Sequence, residues 1–205
     1  SYDWSDVDQY AISAAAAGLK PVFQVYGAPD WANRCKAPTD GSIVGGAPCD
    51  PDPAAMAEFL KAAARRYSGT FQGLPKVRYW QVQNEPNLNS FFNPQFGAGG
   101  NALSPRIYRR ILNDGYRAIK GVDSSNVVLA AGLAPLGGEG AAVKPMAFAR
   151  ELLCMNRKNR PMPSPNPCDG GVKLDVFDMH TYTTGGPTHK AYDPENIQMG
   201  DLKKL

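Results

Sequence analysis

The sequence predicts an α/β fold assembled from parallel βα units, and three observations predict it. Short apolar segments begin near residues 21, 76, 126 and 173, about fifty residues apart, and a helical pattern fills each interval. Each segment carries one apolar face and one face that turns polar towards its C-terminal end. No sequence repeat accompanies the spacing, so the regularity belongs to the architecture and not to a repeat array.

Each element has its own signal. Residues 5–18 read as a helix with Ser5 at the N-cap, an alanine run inside and Gly18 at the end. "PVFQVYG" (21–27) is rich in β-branched and aromatic residues and stops at Gly27, as a strand does. "DPAAMAEFLKAAARRYSG" puts Asp52 and Pro53 at the N-cap and first helical position and ends at Gly69. "KVRYWQVQ" (76–83) is the second strand, and Ser104-Pro105 opens the helix "RIYRRILNDGYRAIKG". "NVVLAAG" (126–132) is the third strand, "KPMAFARELLCMN" a helix with proline near its start, and "KLDVFDMH" (173–180) the fourth strand. The remainder reads as loop with the start of a further helix.

Four such units form either a doubly wound sheet or half of an eight-stranded barrel. On 76–83, Tyr79, Gln81, Gln83 and Glu85 share one face and Trp80 and Val82 the other. Val176, Asp178 and His180 oppose Phe177 and Met179, while Val22, Gln24 and Tyr26 oppose Phe23 and Val25. An apolar outer face under helices, with an inner face that becomes polar at the top, is what a barrel opening into a site requires. A doubly wound sheet is buried on both faces and shows continuous apolar runs. The expectation is a partial (β/α)8 barrel, one domain over residues 1–205.

The composition excludes several partners. With 43% hydrophobic and 20% charged residues, the 205-residue chain has ordinary globular usage and enough length for a core. The net charge of +3 is small, and "ARRYSG", "YRRILNDGYRAIK" and "NRKNR" read as solvated helix faces, not a nucleic-acid footprint. No apolar run approaches the ~20 residues of a membrane span. The chain opens without Met on a helical pattern, so it is expected to start inside a domain or at a processing point.

Four cysteines form two loop-enclosing pairs, Cys35/Cys49 and Cys154/Cys168, each fourteen positions apart. Three connectivities are open, and local pairing closes each Gly/Pro-rich loop on itself, worth roughly 3 kcal/mol per bridge in the chain-entropy account. Two such disulfides imply an oxidising compartment and hence secretion. A zinc site competes poorly, since there is no CxxC and only His180 and His189 are present. Four unpaired buried cysteines are the plain alternative. No metal or cofactor is expected.

In parallel α/β folds the site lies at the C-terminal strand ends. There the sequence places Asp30 and Trp31, Asn84 and Glu85, His180 and Tyr182, with Glu139 after the third strand. Carboxylates, an amide, an imidazole and aromatic rings on one rim suit a sugar, whose hydroxyls need planar polar groups and whose C–H faces stack on rings. "YWQVQNEPN", with Asn-Glu-Pro ending a strand, resembles the acid/base motif that closes the fourth strand in clan A retaining glycoside hydrolases. "APDWA" (28–32) is similar to the segment after their third strand, and "FDMHTY" resembles the His-x-Tyr closing the sixth. The resemblance covers roughly residues 20–185, with families 39 and 5 nearest, and the fifth strand carries no marker.

That resemblance implies a carbohydrate substrate and a set of roles. Glu85 is the general acid and then base, Asn84 binds the sugar 2-hydroxyl, His180 and Tyr182 line the site, and Trp31 offers a stacking wall. Against these stand plainer readings: Trp31 as loop packing, His180 as a hydrogen-bonded core histidine, Asp178 and Trp80 as structural. Phe91, Phe92 and Phe96 either shape a subsite or pack. Retaining hydrolysis needs a second carboxylate about 5–5.5 Å away. In the clan it closes the seventh strand, so this chain corresponds to strands three to six, with the first two and last two, and the nucleophile, in the same or another chain. Alone the segment should be inactive. Two rivals are a sugar-binding barrel without a nucleophile and a metal-dependent hydrolase.

Overall fold

The computed structural model describes residues 2–36, 47–138, 140–162, 168 and 171–205. Four strands, β1 (Val22–Val25), β2 (Tyr79–Val82), β3 (Val127–Leu133) and β4 (Val176–Met179), form one parallel sheet in the order β1-β2-β3-β4. Helix α1 (Ser5–Ala16) precedes the sheet; α2 (Pro53–Arg66), α3 (Ser104–Val122) and α4 (Pro145–Leu152) connect its strands. The strand order never reverses. A doubly wound sheet reverses at its switch point, whereas a barrel adds each strand on the same side of the last.

The outer face is the core. Trp80 and Val82 of β2, Val128 and Ala130 of β3, and Leu60, Tyr108, Ile111 and Leu112 of the helices are completely or almost completely buried in one cluster. Phe23 of β1 meets Tyr67 and Trp80 edge-on at centroid distances of 5.0 and 5.8 Å. Helix α3 lies so close that a Cβ on Gly115 would stand 2.7 Å from Leu60 and 3.5 Å from Val82. Glycine lets α3 settle against both α2 and β2 without displacing the Leu60 side chain.

The inner face is uncovered along the two edge strands, while Gln81 at its centre is buried. Val22 is 47% exposed and Val176 41%, although both are β-branched strand residues pointing away from the helices. β1 and β4, the two edges, have no second strand partner among the described residues.

Several boundaries differ from expectation. Helix α1 ends at Ala16, with Gly18 beyond it at φ +69°, and Ser5 is not its cap. Trp4 holds the N-cap position, and the Asp3 carboxylate accepts from the Ser5 N–H (3.0 Å) and hydroxyl (2.7 Å). Asp52 does cap α2, accepting from the N–H groups of Ala54 (2.8 Å) and Ala55 (3.2 Å). The last segment supplies a 3-10 helix, Met199–Lys204. Both cysteine pairs are local disulfides, Cys35–Cys49 and Cys154–Cys168. Glu139 and most of the first disulfide loop lie outside the described residues.

Helix α1 fully buries only Ala11, with Val7 packed partly against the core, and polar contacts add to its hold. Asp8 binds Arg66 through both guanidinium arms, Nε at 2.7 Å, and accepts from the Tyr67 hydroxyl at 2.9 Å. Arg66 holds the Asp8 carboxyl below the usual carboxylate range against the opposing effect of burial. Burial, and then Asp8, pushes the Tyr67 phenol up to about 12. Since the folded-state value of Asp8 lies below its unfolded value, the unfolded chain binds more protons in that window. The contribution is complete above about pH 4 and is lost as pH falls through the folded value. Asp8→Asn should therefore lower the urea midpoint at pH 7, and the gap from wild type should close as pH falls below 4. A gap constant with pH would contradict this.

Candidate functional site at the C-terminal strand ends

The site begins where β2 stops. The strand ends at Val82, and Gln83 and Glu85 then take left-handed backbone conformations, φ +71° and +41°. Glu85 is thus placed by a turn and not by strand alternation, as the sequence had suggested. Non-glycine residues in this region cost roughly 1–3 kcal/mol each and persist where the surroundings fix them. Gln83 is completely buried, and its amide donates to the Phe91 carbonyl at 3.0 Å.

The turn is pinned by two buried amides that the sequence reading did not single out. Asn87 donates to the carbonyls of Ala134 and Val143, each at 3.2 Å, and accepts from the Ala134 N–H at 2.9 Å. Gln95 donates to the carbonyls of Pro86 (3.0 Å) and Phe92 (2.7 Å) and accepts from the Ser104 hydroxyl at 3.1 Å. Both follow Glu85 within the long connection between β2 and α3, and no local signal in the sequence marks them as buried. Asn93 adds a link to the first disulfide loop, its N–H donating to the Pro48 carbonyl at 2.8 Å.

From this base the Glu85 carboxylate meets His180 of the β4 end, Oε1 to Nδ1, at 2.9 Å. Both are largely buried, the side chains 12% and 25% exposed. The tautomer with its proton on Nδ1 donates to Oε1 and leaves Oε2 free. The His180 N–H is held by the Leu133 carbonyl at 2.9 Å. Tyr182 is 70% exposed and sets its ring edge to His180 at 6.1 Å. Asn84 accepts from the Gln24 amide of β1 at 2.8 Å, which turns its own NH2 outward as a donor.

The structure therefore gathers Glu85, Asn84, His180 and Tyr182 on one rim. Trp31 stands apart: 76% exposed, it lines a cavity of about 630 Å³ with Tyr26, Met56 and Phe59, beyond β1. A second cavity of about 640 Å³ lies between the β2–α3 and β3–α4 loops, and neither is lined by Glu85. Phe92 is wholly buried against Tyr108, so it packs. Among the described residues no group of three acidic, His or Cys side chains could hold a metal.

No protein-family model matches the sequence, and no curated protein sequence matches it. Solved structures do. A monomeric beta-xylosidase from Caulobacter crescentus CB15 superposes with TM-score 0.60 at 22% identity, covering 99% of this chain and 37% of its own. A GH39 enzyme from Xanthomonas axonopodis pv. citri gives TM-score 0.59 at 22% identity, covering 100% and 36%. A glucosidase from Croceicoccus marinus gives 0.54 at 17%, covering 87% and 30%. The fold is part of a (β/α)8 barrel. The chain spans about a third of the length of these enzymes, and the uncovered inner face of the sheet is the side a complete barrel closes.

Asn87 should be the costliest polar residue of the rim. Asn87→Ala leaves one N–H and two carbonyls buried without partners, at about 1–3 kcal/mol per orphaned group. Urea unfolding should register a loss of at least about 2 kcal/mol; a change within about 0.5 kcal/mol, as at ordinary surface sites, would refute the assignment.

Proposed function

We propose that this chain is the acid/base half of the catalytic domain of a retaining glycoside hydrolase, its residues 1–205 forming the third to sixth βα units. The observation that carries the reading is the 2.9 Å contact between Glu85 and His180 at the C-terminal ends of parallel strands. The likeness to a xylosidase, a glucosidase and a GH39 enzyme supports the same class.

In this reading the substrate is an O-glycoside of an oligo- or polysaccharide. Glu85, held through Oε1 by His180, delivers a proton from Oε2 to the glycosidic oxygen as the leaving group departs. A nucleophilic carboxylate outside this chain attacks the anomeric carbon and forms a glycosyl ester. Glu85, now ionised, takes a proton from water, and that water cleaves the ester with net retention. The NH2 of Asn84 donates to the sugar 2-hydroxyl, Tyr182 lines the pocket beside His180, and exposed Trp31 offers a stacking wall further out. No cofactor enters this chemistry. The complete barrel supplies the nucleophile, so residues 1–205 alone are inactive.

Two disulfides suit a protein folded in an oxidising compartment and support, in this reading, secretion to a polysaccharide substrate. None of the described helices is long and apolar enough to cross a membrane.

In the full-length protein, Glu85→Gln should reduce kcat/KM by about 10²–10⁴-fold on glycosides with poor leaving groups, and far less on activated aryl glycosides. Azide should restore turnover of the aryl substrate, because it replaces the base-activated water. Equal losses on both substrates, with no azide rescue, would remove Glu85 from the acid/base role.

A further inference from the structure

We propose that Gly132 is a positioning residue that holds His180 on Glu85; its activity test rests on the glycosidase reading, its structural test does not. β3 is the strand with no marker residue in the sequence. Within it the pairing to β4 shifts between Ala130 and Leu133, and Ala131 and Gly132 are consecutive left-handed residues, φ +79° and +50°. A Cβ on Gly132 would lie 2.2 Å from Gln81 Nε2 and 3.0 Å from His180 Nε2. The volume where any other residue would place its side chain is occupied by two side chains of the site.

His180 is thus bounded on both ring nitrogens. Nδ1 faces Glu85 at 2.9 Å, and Nε2 faces the bare Cα of Gly132. Gln81 has little room to yield, being 5% exposed with its amide donating to the Gln83 carbonyl at 3.3 Å. Nor can the bulge easily swing away. The Tyr108 hydroxyl, fully buried, accepts from the Ala131 N–H at 2.6 Å and donates to the Val82 carbonyl at 2.8 Å. A methyl group at 132 meets Gln81 first and the His180 ring next; with Gln81 and the bulge both held, the imidazole is the group that yields, beyond the cost of φ itself.

Conformational strain alone is separated by a control. Gly73 also has a left-handed backbone, φ +76°, but open space where a Cβ would go. The full-length protein is labelled with ¹⁵N-histidine, and the His180 ring resonances are assigned by their loss in His180→Gln. In the wild-type background Glu85→Gln should shift those resonances strongly, with His189 unmoved. In Gly132→Ala that response should fall at least threefold, while in Gly73→Ala it stays whole. Turnover of an unactivated glycoside should fall roughly 10–100-fold in Gly132→Ala with KM less affected, as expected for a misplaced catalytic group. An undiminished His180 response in Gly132→Ala would overturn the proposal. If Gly132→Ala fails to fold, the pair Gln81→Ala/Gly132→Ala removes the 2.2 Å contact and keeps the one to His180. Its response to Glu85→Gln should then be weaker than that of Gln81→Ala alone, and equality would overturn the proposal. Absence of hydrolysis by the unmutated protein would sink the glycosidase reading only, because the ring response still decides the role of Gly132.

Discussion

The contact from Glu85 to His180 joins the ends of β2 and β4, two strands separated by β3. Strands once removed lie roughly 9–10 Å apart, so two side chains can meet only over the intervening strand. β3 must therefore present no side chain beneath them. The bulge at Ala131–Gly132, the Tyr108 hydroxyl that clamps it to β2, and the tight turn that lifts Glu85 all serve that one requirement. Burial pushes the Tyr108 phenol up, and the negative charge of Asp178 adds to it, so the clamp stays a neutral hydroxyl.

The scaffold around this contact rests on buried amides more than on charges. Gln95 satisfies backbone carbonyls of the turn after β2, and Asn87 reaches from that turn to satisfy the backbone after β3, as water would do in looser loops. At the opposite end of the sheet, Asp175 joins β4 to β3 and α3. It accepts from the Val128 N–H and pairs with Lys120, both at 2.8 Å. Burial works against its ionisation, yet Lys120 and the Val128 N–H outweigh it and hold the carboxyl below its usual range. Division of labour between a bottom that fixes register and a top that fixes chemistry is general to this architecture.

Much of this was legible in the sequence, because it rests on periodicity and turn chemistry. The four strands, the proline-led helices, the Asp52 cap and the local disulfides follow from patterns that are local in the chain. Ser5 misled because it is already the first helical residue: its own N–H and hydroxyl both donate to the Asp3 carboxylate, and its side chain makes no capping bond. The alternation that carried Glu85 onto the inner face reached the right rim for the wrong reason, since Gln83 breaks the strand. Gly132 was invisible: "NVVLAAG" reads as an ordinary strand end, and the clash that makes its glycine necessary comes from Gln81 and His180, fifty-one and forty-eight residues away. Trp31 illustrates the converse, a residue of the right type at the right strand end that faces another cavity.

In the proposed function, Glu85 works with a nucleophilic carboxylate outside residues 1–205. Trapping tests it most directly. A 2-deoxy-2-fluoroglycoside with a good leaving group slows hydrolysis of the glycosyl ester, so the ester accumulates and survives proteolysis for mass spectrometry. A single labelled carboxylate is expected in the full-length protein, in a peptide outside residues 1–205, with Glu85 unlabelled. A sugar ester on any carboxylate within residues 1–205 would contradict it.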